Sequence, residues 1–458
     1  MDKSIRFTFA GGAGTVTGSK CLLEVASYKL LIDCGLFQGL KALRSLNWEN
    51  LPFDSLGIDA VLLTHAHLDH VGALPLLYNQ GFRKNIYCSA PTYDIAKVIL
   101  LDSAKIQEED AERANEMGYS KHHPAKPLYT VEDVYKCLSL FVTCEVNKKY
   151  ELFDNISFKF KPSAHIFGSC FITVKAFGKK IIFSGDVGRM QPLIQPVPSK
   201  VSDADVLVLE STYGNRVHAK ENLKTSLASI IKDTLLFKKG TLIIPSFALE
   251  RAQELMVLIN RLKRNKDIPS DIPVYLDSPM ASNITEIMLH YPEWHTLSTN
   301  DIRDIQKHII FVKDAKQTEY IAGDKTPKII IAGSGMLTGG RVLEYLIQGG
   351  GDVNNTILIS GFQAEGTRGR DLLKSKNTIK IHGQEIEIKA EVKELSGLSG
   401  HADQEELMFW LSQFQVLPAK IILNHGEEQA SFVLQKMIQE KYPTIKVEIA
   451  VMGNVMPI

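Results

Sequence analysis

His65-Ala66-His67-Leu68-Asp69-His70 is the stretch on which the reading of this chain turns. It follows Asp59-Ala60-Val61-Leu62-Leu63-Thr64, whose apolar centre reads as a short buried strand. After it, Val71-Gly72-Ala73-Leu74-Pro75-Leu76-Leu77 reads as the opening of a helix. From a rigid strand end, His65 and His67 can point to the same side. Three imidazoles and a carboxylate within six residues suit a borderline-soft cation such as zinc. The plain alternative is a polar loop with chance histidines. Against it, four potential ligands at the mouth of a buried strand are costly to leave unpaired.

Outward from the run, the chain is strand-rich. Residues 4–34 read as two or three strands joined by Gly11-Gly12-Ala13-Gly14, and Ser27-Tyr28-Lys29-Leu30-Leu31-Ile32 leaves the Asp33 carboxylate at a strand end. Gly14-Thr15-Val16-Thr17-Gly18-Ser19-Lys20 lacks Walker A spacing and reads as a tight turn. Residues 92–136 read as largely helical, with Gln107–Arg113 a solvated helix face and His122 and His123 surface residues. Strands follow at 156–161, 170–177 and 180–184, carrying His165 in a Ser-Ala-His-Ile-Phe-Gly-Ser loop and Asp186 in Ser184-Gly185-Asp186. The strand Asp205–Leu209 ends on Glu210-Ser211-Thr212-Tyr213-Gly214.

After Gly214 helices alternate with strands, the pattern of a parallel α/β domain. Its turn Gly333-Ser334-Gly335-Met336-Leu337-Thr338-Gly339 sits where a dinucleotide fingerprint would sit. The third glycine comes one residue late, and the next strand ends at Ser360 instead of a ribose-holding acid. A backbone-amide contact to phosphate suits this turn better. From about residue 377 the strand-rich character returns, with Ser399-Gly400-His401-Ala402-Asp403 and Asn424-His425-Gly426-Glu427.

With 458 residues and 45% hydrophobic composition, the chain can bury a large core in two or three domains. Its 52 basic and 52 acidic residues balance, so no global field advertises a nucleic acid or a membrane. Six cysteines without a CxxC pair argue for free thiols in a reducing cytosol. No signal-peptide core opens the chain and no apolar run approaches a membrane span, so a cytoplasmic protein is expected.

Asp33, the His65–His70 run, His165, Asp186, Glu210, His401 and His425 occur in the order of seven motifs. On these the chain resembles the metallo-β-lactamase superfamily and, within it, the β-CASP nucleases related to the cleavage and polyadenylation endonuclease subunit. The resemblance covers essentially the whole chain. It implies a four-layer αββα domain built from residues 1–213 and 377–458, with an α/β β-CASP domain inserted at 214–376. It also implies two zinc ions. The first would take His65, His67 and His165, the second Asp69, His70 and His425, and Asp186 would bridge, leaving one shared position for a hydroxide. Asp33 would orient a ligand histidine from behind. His401 would be the general acid, oriented by Glu210. Substrate phosphates would meet Ser334, Gly335 and Arg251.

A histidine at position 425 resembles the RNA-processing members, where the DNA-processing ones usually carry valine. The expectation is a short bacterial-archaeal type of ribonuclease acting on single-stranded RNA, with endo- and 5′-exonuclease action and a homodimer both left open. Thr15 departs from the acidic residue that relatives often carry before Val-Thr-Gly, which touches no ligand. The rivals are a thioester or lactone hydrolase on the same scaffold, a DNA nuclease, a non-cutting RNA-binding subunit and an oxygen-reducing di-iron protein. The first needs neither the insertion nor His401, and the third usually loses ligands that this chain keeps. The last usually carries Glu where His67 stands.

Overall fold

Ile5-Arg6-Phe7-Thr8-Phe9 alternates apolar and polar residues, the period of a strand with one dry face. Phe7 and Phe9 are indeed fully buried in the strand Ile5–Gly11. The structure, a computed structural model, describes residues 4–118, 122–219, 222–361, 363, 366–395 and 397–457. It divides into two units, Met1–Val217 with His401–Ile458, and His218–Gly400. Among the described residues no helix is long and apolar enough to cross a membrane.

The first unit holds two seven-stranded sheets. One runs Val455–Pro457, Ile5–Gly11, Lys20–Val25, Tyr28–Ile32, Ala60–Leu62, Ile86–Ser89, Phe141–Cys144 from edge to edge. The other runs Lys446–Ile449, Lys420–Asn424, Val206–Glu210, Lys179–Phe183, Cys170–Ala176, Ile156–Pro162, Tyr150–Phe153. Aromatic pairs lock the two face to face: Phe7 on Phe183 at 5.9 Å, Tyr28 on Phe153 at 4.2 Å and Tyr87 on Phe158 at 5.2 Å between ring centroids. Helices cover the outer faces. Ala90–Met117 packs on the first sheet, burying Ile95, Ile99 and Leu100. Trp410 of the helix Gln404–Ser412 meets Phe171 at 5.7 Å, and Leu434 and Ile438 of Glu428–Lys441 join Leu207, Leu209 and Ile421 in the second sheet's outer core. Each such fully buried Leu or Phe contributes roughly 1.5–3 kcal/mol. The result is the αββα layering.

The second unit is a six-stranded parallel sheet in the order Ile309–Phe311, Val274–Asp277, Ile329–Ala332, Leu242–Pro245, Thr356–Ile359, Glu391–Glu394. Its central strands are uniformly apolar because helices cover both faces. Sequence reading returned the chain to the first domain after residue 376, whereas here the inserted unit continues to Gly400. Ile379, Ile381, Ile388 and Ala390 bury into its core, and Glu391–Glu394 pairs as a parallel edge strand with Thr356–Ile359.

Parallel pairing decides where the polar strand ends of the first unit collect. Tyr28–Ile32 and Ala60–Leu62 run parallel in one sheet. Lys179–Phe183, Val206–Glu210 and Lys420–Asn424 run parallel in the other. Their carboxyl ends therefore lie at one edge of each sheet, carrying Asp33, Thr64 and His65, Asp186, Glu210 and His425. Ile156–Pro162 points the same way and delivers the His165 loop.

Candidate metal centre

The His65–His70 run leaves its strand extended and then turns. It forms only a short helix, Leu68–Val71, before a second, Leu74–Asn79, where one helix opening was expected. Backbone bonds from the neighbouring strand end strap it down: Ser19 N–H donates to Asp69 O at 2.8 Å and Cys34 N–H to His70 O at 2.7 Å. Gly35 permits this approach, since a Cβ there would lie 1.6 Å from Asp69 O. The His165 loop is tied at two points. Ser169 Oγ accepts the N–H groups of His165 and Ile166 at 3.0 and 3.2 Å, and the hydroxyls of Ser89 and Thr92 donate to Gly168 O at 2.7 and 2.9 Å. Asp33, Ala164 and His425 hold left-handed φ of 59°, 59° and 49°, each costing on the order of 1 kcal/mol that the surrounding bonds must offset.

Four ligand atoms then converge. His67 Nδ1 is 3.1 Å from His65 Nε2 and 3.2 Å from His165 Nε2, and Asp186 Oδ2 is 3.5 and 3.4 Å from the same two Nε2 atoms. Zn–N bonds of about 2.0–2.1 Å in a tetrahedron imply edges of about 3.3 Å, so these separations fit one ion. Beside it, His70 Nε2 and His425 Nε2 lie 3.1 Å apart, with Asp69 Oδ2 3.7 and 3.3 Å from them. Asp186 Oδ1 faces this second group, 3.5 Å from His70 Nε2. That oxygen is buried, 3.3 Å from His425 Nδ1 but with no hydrogen bond among the described residues, an arrangement costly to keep without a cation. The donors fit a metal.

The electrostatics agree. Burial, aided by the neighbouring imidazoles, holds His65 well below its ordinary pKa; burial also brings His67 to about 4, so both rings are neutral near pH 7, the form that can bind a metal. Burial would raise Asp69, but its bond to His425 and the charges of His70 and His425 keep it well below the carboxylate range. Burial raises Asp186 against the pull of His425, His70 and His401. His70 is pushed down by burial yet reaches about 10 through Asp186, Asp33 and Asp69, which shows how strongly these carboxylates call for positive charge here.

At the rim, Glu210 is buried with Oε1 accepting from Val187 N–H at 2.6 Å and lying 3.3 Å from His401 Nδ1. Ala402 N–H donates to Val187 O at 2.7 Å, so one loop holds both partners in register. His401 Nε2 turns toward the cluster, 3.9 Å from Asp186 Oδ2. Burial depresses His401, but Glu210 and then Asp186 outweigh it and bring its pKa to about 9.

The ten residues expected here, Asp33 to His425, thus share one cluster in the first unit. Ser334, Gly335 and Arg251 lie in the second. Arg251 is buried with Nη1 on Glu254 at 2.7 Å, and Ser334 Oγ accepts from the N–H groups of Thr338 and Gly339 at 3.1 and 3.3 Å. Arg251 therefore does not present the free guanidinium that phosphate contact had suggested. Sequence reading missed Thr64, Ser169, the Val187 amide and Thr212, whose Oγ1 lies 3.3 Å from His425 Nδ1, as supporting groups. A hydroxyl residue directly before the run was the one available signal.

Residues 28–225 match the beta-lactamase superfamily domain, 252–372 the Beta-Casp domain, and 385–450 the Zn-dependent metallo-hydrolase RNA specificity domain. A ribonuclease from Thermus thermophilus is 33% identical over 446 residues, covering 93% of this chain and 94% of that protein. The chain belongs to the β-CASP ribonuclease family of the metallo-β-lactamase superfamily. An RNase J-like protein of Methanocaldococcus jannaschii is 30% identical over 460 residues, covering 98% of this chain and 99% of that β-CASP relative. Transcription termination factor FttA of Methanothermobacter thermautotrophicus is 29% identical over 458 residues, covering 95% and 69%. A solved structure of a protein of unknown function from Enterococcus faecalis shares the fold, with a TM-score of 0.54 and 13% identity over 99% of this chain and 100% of that one.

Proposed function

We propose that this β-CASP enzyme hydrolyses phosphodiester bonds of single-stranded RNA with two zinc ions, His65, His67 and His165 holding one, Asp69, His70 and His425 the other, and Asp186 bridging. The observation that carries the two-metal reading is Asp186, whose Oδ2 faces one histidine group and whose Oδ1, without a hydrogen bond among the described residues, faces His70 and His425 of the other. Bound there, zinc would supply Lewis acidity toward a phosphoryl oxygen and bring the pKa of a water toward neutrality.

The chain's own residues do the rest. As water oxygen adds to phosphorus, the bond from phosphorus to the ribose 3′ oxygen breaks, and that oxygen needs a proton to leave. His401 is the donor. Its Nδ1 is committed to Glu210, its Nε2 faces the cluster, and the nearby carboxylates keep the ring protonated at neutral pH. Asp33 holds His70 through a 2.8 Å bond to Nδ1. The products are a 3′ hydroxyl and a 5′ phosphate. In the inserted unit, the Ser334–Gly335 turn is the proposed phosphate contact, and Arg251 would join it only by giving up its bond to Glu254. The names of the Thermus and Methanocaldococcus relatives and the RNA specificity domain favour RNA over DNA and over small esters.

The direct test incubates zinc-loaded protein with labelled single-stranded RNA, single-stranded DNA and a thioester. Cleavage of RNA well above the other two is expected. Thioester turnover with intact RNA would instead establish a small-molecule hydrolase.

A further inference from the structure

Thr64 stands at the mouth of the strand Ala60–Leu62, 1% exposed, and its hydroxyl touches three groups that matter. Oγ1 is 2.7 Å from Asp33 Oδ2, 3.0 Å from His65 Nδ1 and 3.5 Å from His70 Nδ1, while the Thr64 N–H donates to Asp33 Oδ1 at 2.7 Å. Asp33 Oδ2 is also 2.8 Å from His70 Nδ1.

Donor and acceptor counting fixes the protons. A carboxylate only accepts, so the single hydroxyl proton of Thr64 goes to Asp33. The hydroxyl then has only lone pairs left for His65, whose Nδ1 must carry the proton. In a neutral ring that leaves Nε2 bare, and Nε2 is the atom 3.1 Å from His67 Nδ1 and 3.5 Å from Asp186 Oδ2. By the direct bond, Asp33 likewise takes the proton on His70 Nδ1, so that in a neutral ring Nε2 is bare toward His425. We propose that Thr64 is a positioning residue that relays Asp33 to His65, so that one buried carboxylate sets the metal-binding tautomer of one histidine in each half of the centre. The inference rests on the two-metal reading and goes beyond it: it makes the two halves separable, because His65 reaches Asp33 through the Thr64 hydroxyl, whereas His70 has its own 2.8 Å bond to Asp33 and only a 3.5 Å contact with that hydroxyl.

Thr64→Val keeps the shape, which matters because a Cβ at Gly185 would lie 2.6 Å from Thr64 Cβ, but removes the hydroxyl's bonds to Asp33 and His65 and its longer contact with His70. His65 Nδ1–H then has no acceptor at a residue with no solvent exposure. Losing such a supporting bond typically lowers metal affinity about 10–100-fold. Competition against a graded chelator, with elemental analysis, compares wild type, Thr64→Val, Thr64→Ser and Asp33→Asn. Thr64→Val should weaken one of two sites by about 10–100-fold and leave the other unchanged; Thr64→Ser should restore both, and Asp33→Asn should weaken both. The imidazole nitrogen spectrum of the zinc-loaded protein should lose one Nδ1–H ring signal in the valine variant and keep it in the serine variant. If the valine variant does not fold, Thr64→Ala carries the same comparison. Two sites of wild-type affinity in the hydroxyl-free variant, or two sites weakened alike, would overturn the relay. A wild type that binds a single zinc contradicts the two-metal reading first, and the relay with it.

Discussion

Replacing Glu210 by Gln should change the enzyme's pH profile more than its fold. The side chain keeps its length, and an amide oxygen can still accept the Val187 N–H that Oε1 receives at 2.6 Å. What disappears is the negative charge 3.3 Å from His401 Nδ1, first among the influences that overcome burial and raise that ring to about 9. The sign follows from the role. A general acid acts while protonated, so wild-type activity should persist below about pH 9 and fall as pH rises through it. Without Glu210, burial is opposed only by Asp186 and Asp69, and the ring should fall toward its ordinary value of about 6.5. At that limit the protonated fraction at pH 8 drops from about nine-tenths to about three hundredths, up to roughly thirtyfold in rate. The assay is single-turnover RNA cleavage from about pH 5.5 to 9.5 at matched zinc content. An alkaline limb that does not move in Glu210→Gln would refute the pairing of these two residues.

His401→Ala should lose about 10²–10⁴-fold on ordinary RNA yet cut a substrate with sulfur at the scissile 3′ bridge far better, since a thiolate leaves unprotonated. An equal loss on both substrates would give His401 another task. His425→Ala should release one zinc in preference to the other, because its ring stands only in the Asp69–His70 group; elemental analysis reads this. Ser334→Asp can keep the turn, as a carboxylate accepts the same Thr338 and Gly339 amides, while placing charge against a phosphate path. It should weaken RNA binding most at low salt and leave zinc content unchanged, and unaltered affinity would remove this turn from the substrate path.

The parts of this centre that were legible in sequence are those where chemistry and strand ends coincide. His65 to His70 could be read directly, and the distant Asp186, Glu210 and His425 stood out because an apolar strand stops on each. Parallel pairing then gathers them at one edge. What could not be read depends on contacts between elements. Thr64 looks like the last residue of an apolar strand until Asp33 arrives from the neighbouring one. Glu391-Val392-Lys393-Glu394 reads as a half-wet strand, which suits the edge of a parallel sheet as well as it suits an antiparallel one. Arg251 looks available in sequence, but the helix Arg251–Arg264 buries nearly all of its first turn and the guanidinium closes on Glu254.

The account stands most directly on the number of metal ions that RNA cleavage requires. Chelated wild-type protein can be titrated with zinc while cleavage of a labelled single-stranded RNA is followed at each addition. The two-metal centre predicts little cleavage at one equivalent and a plateau at about two per chain. Full RNA cleavage at a single equivalent, or no RNA cleavage at any zinc content, would contradict it.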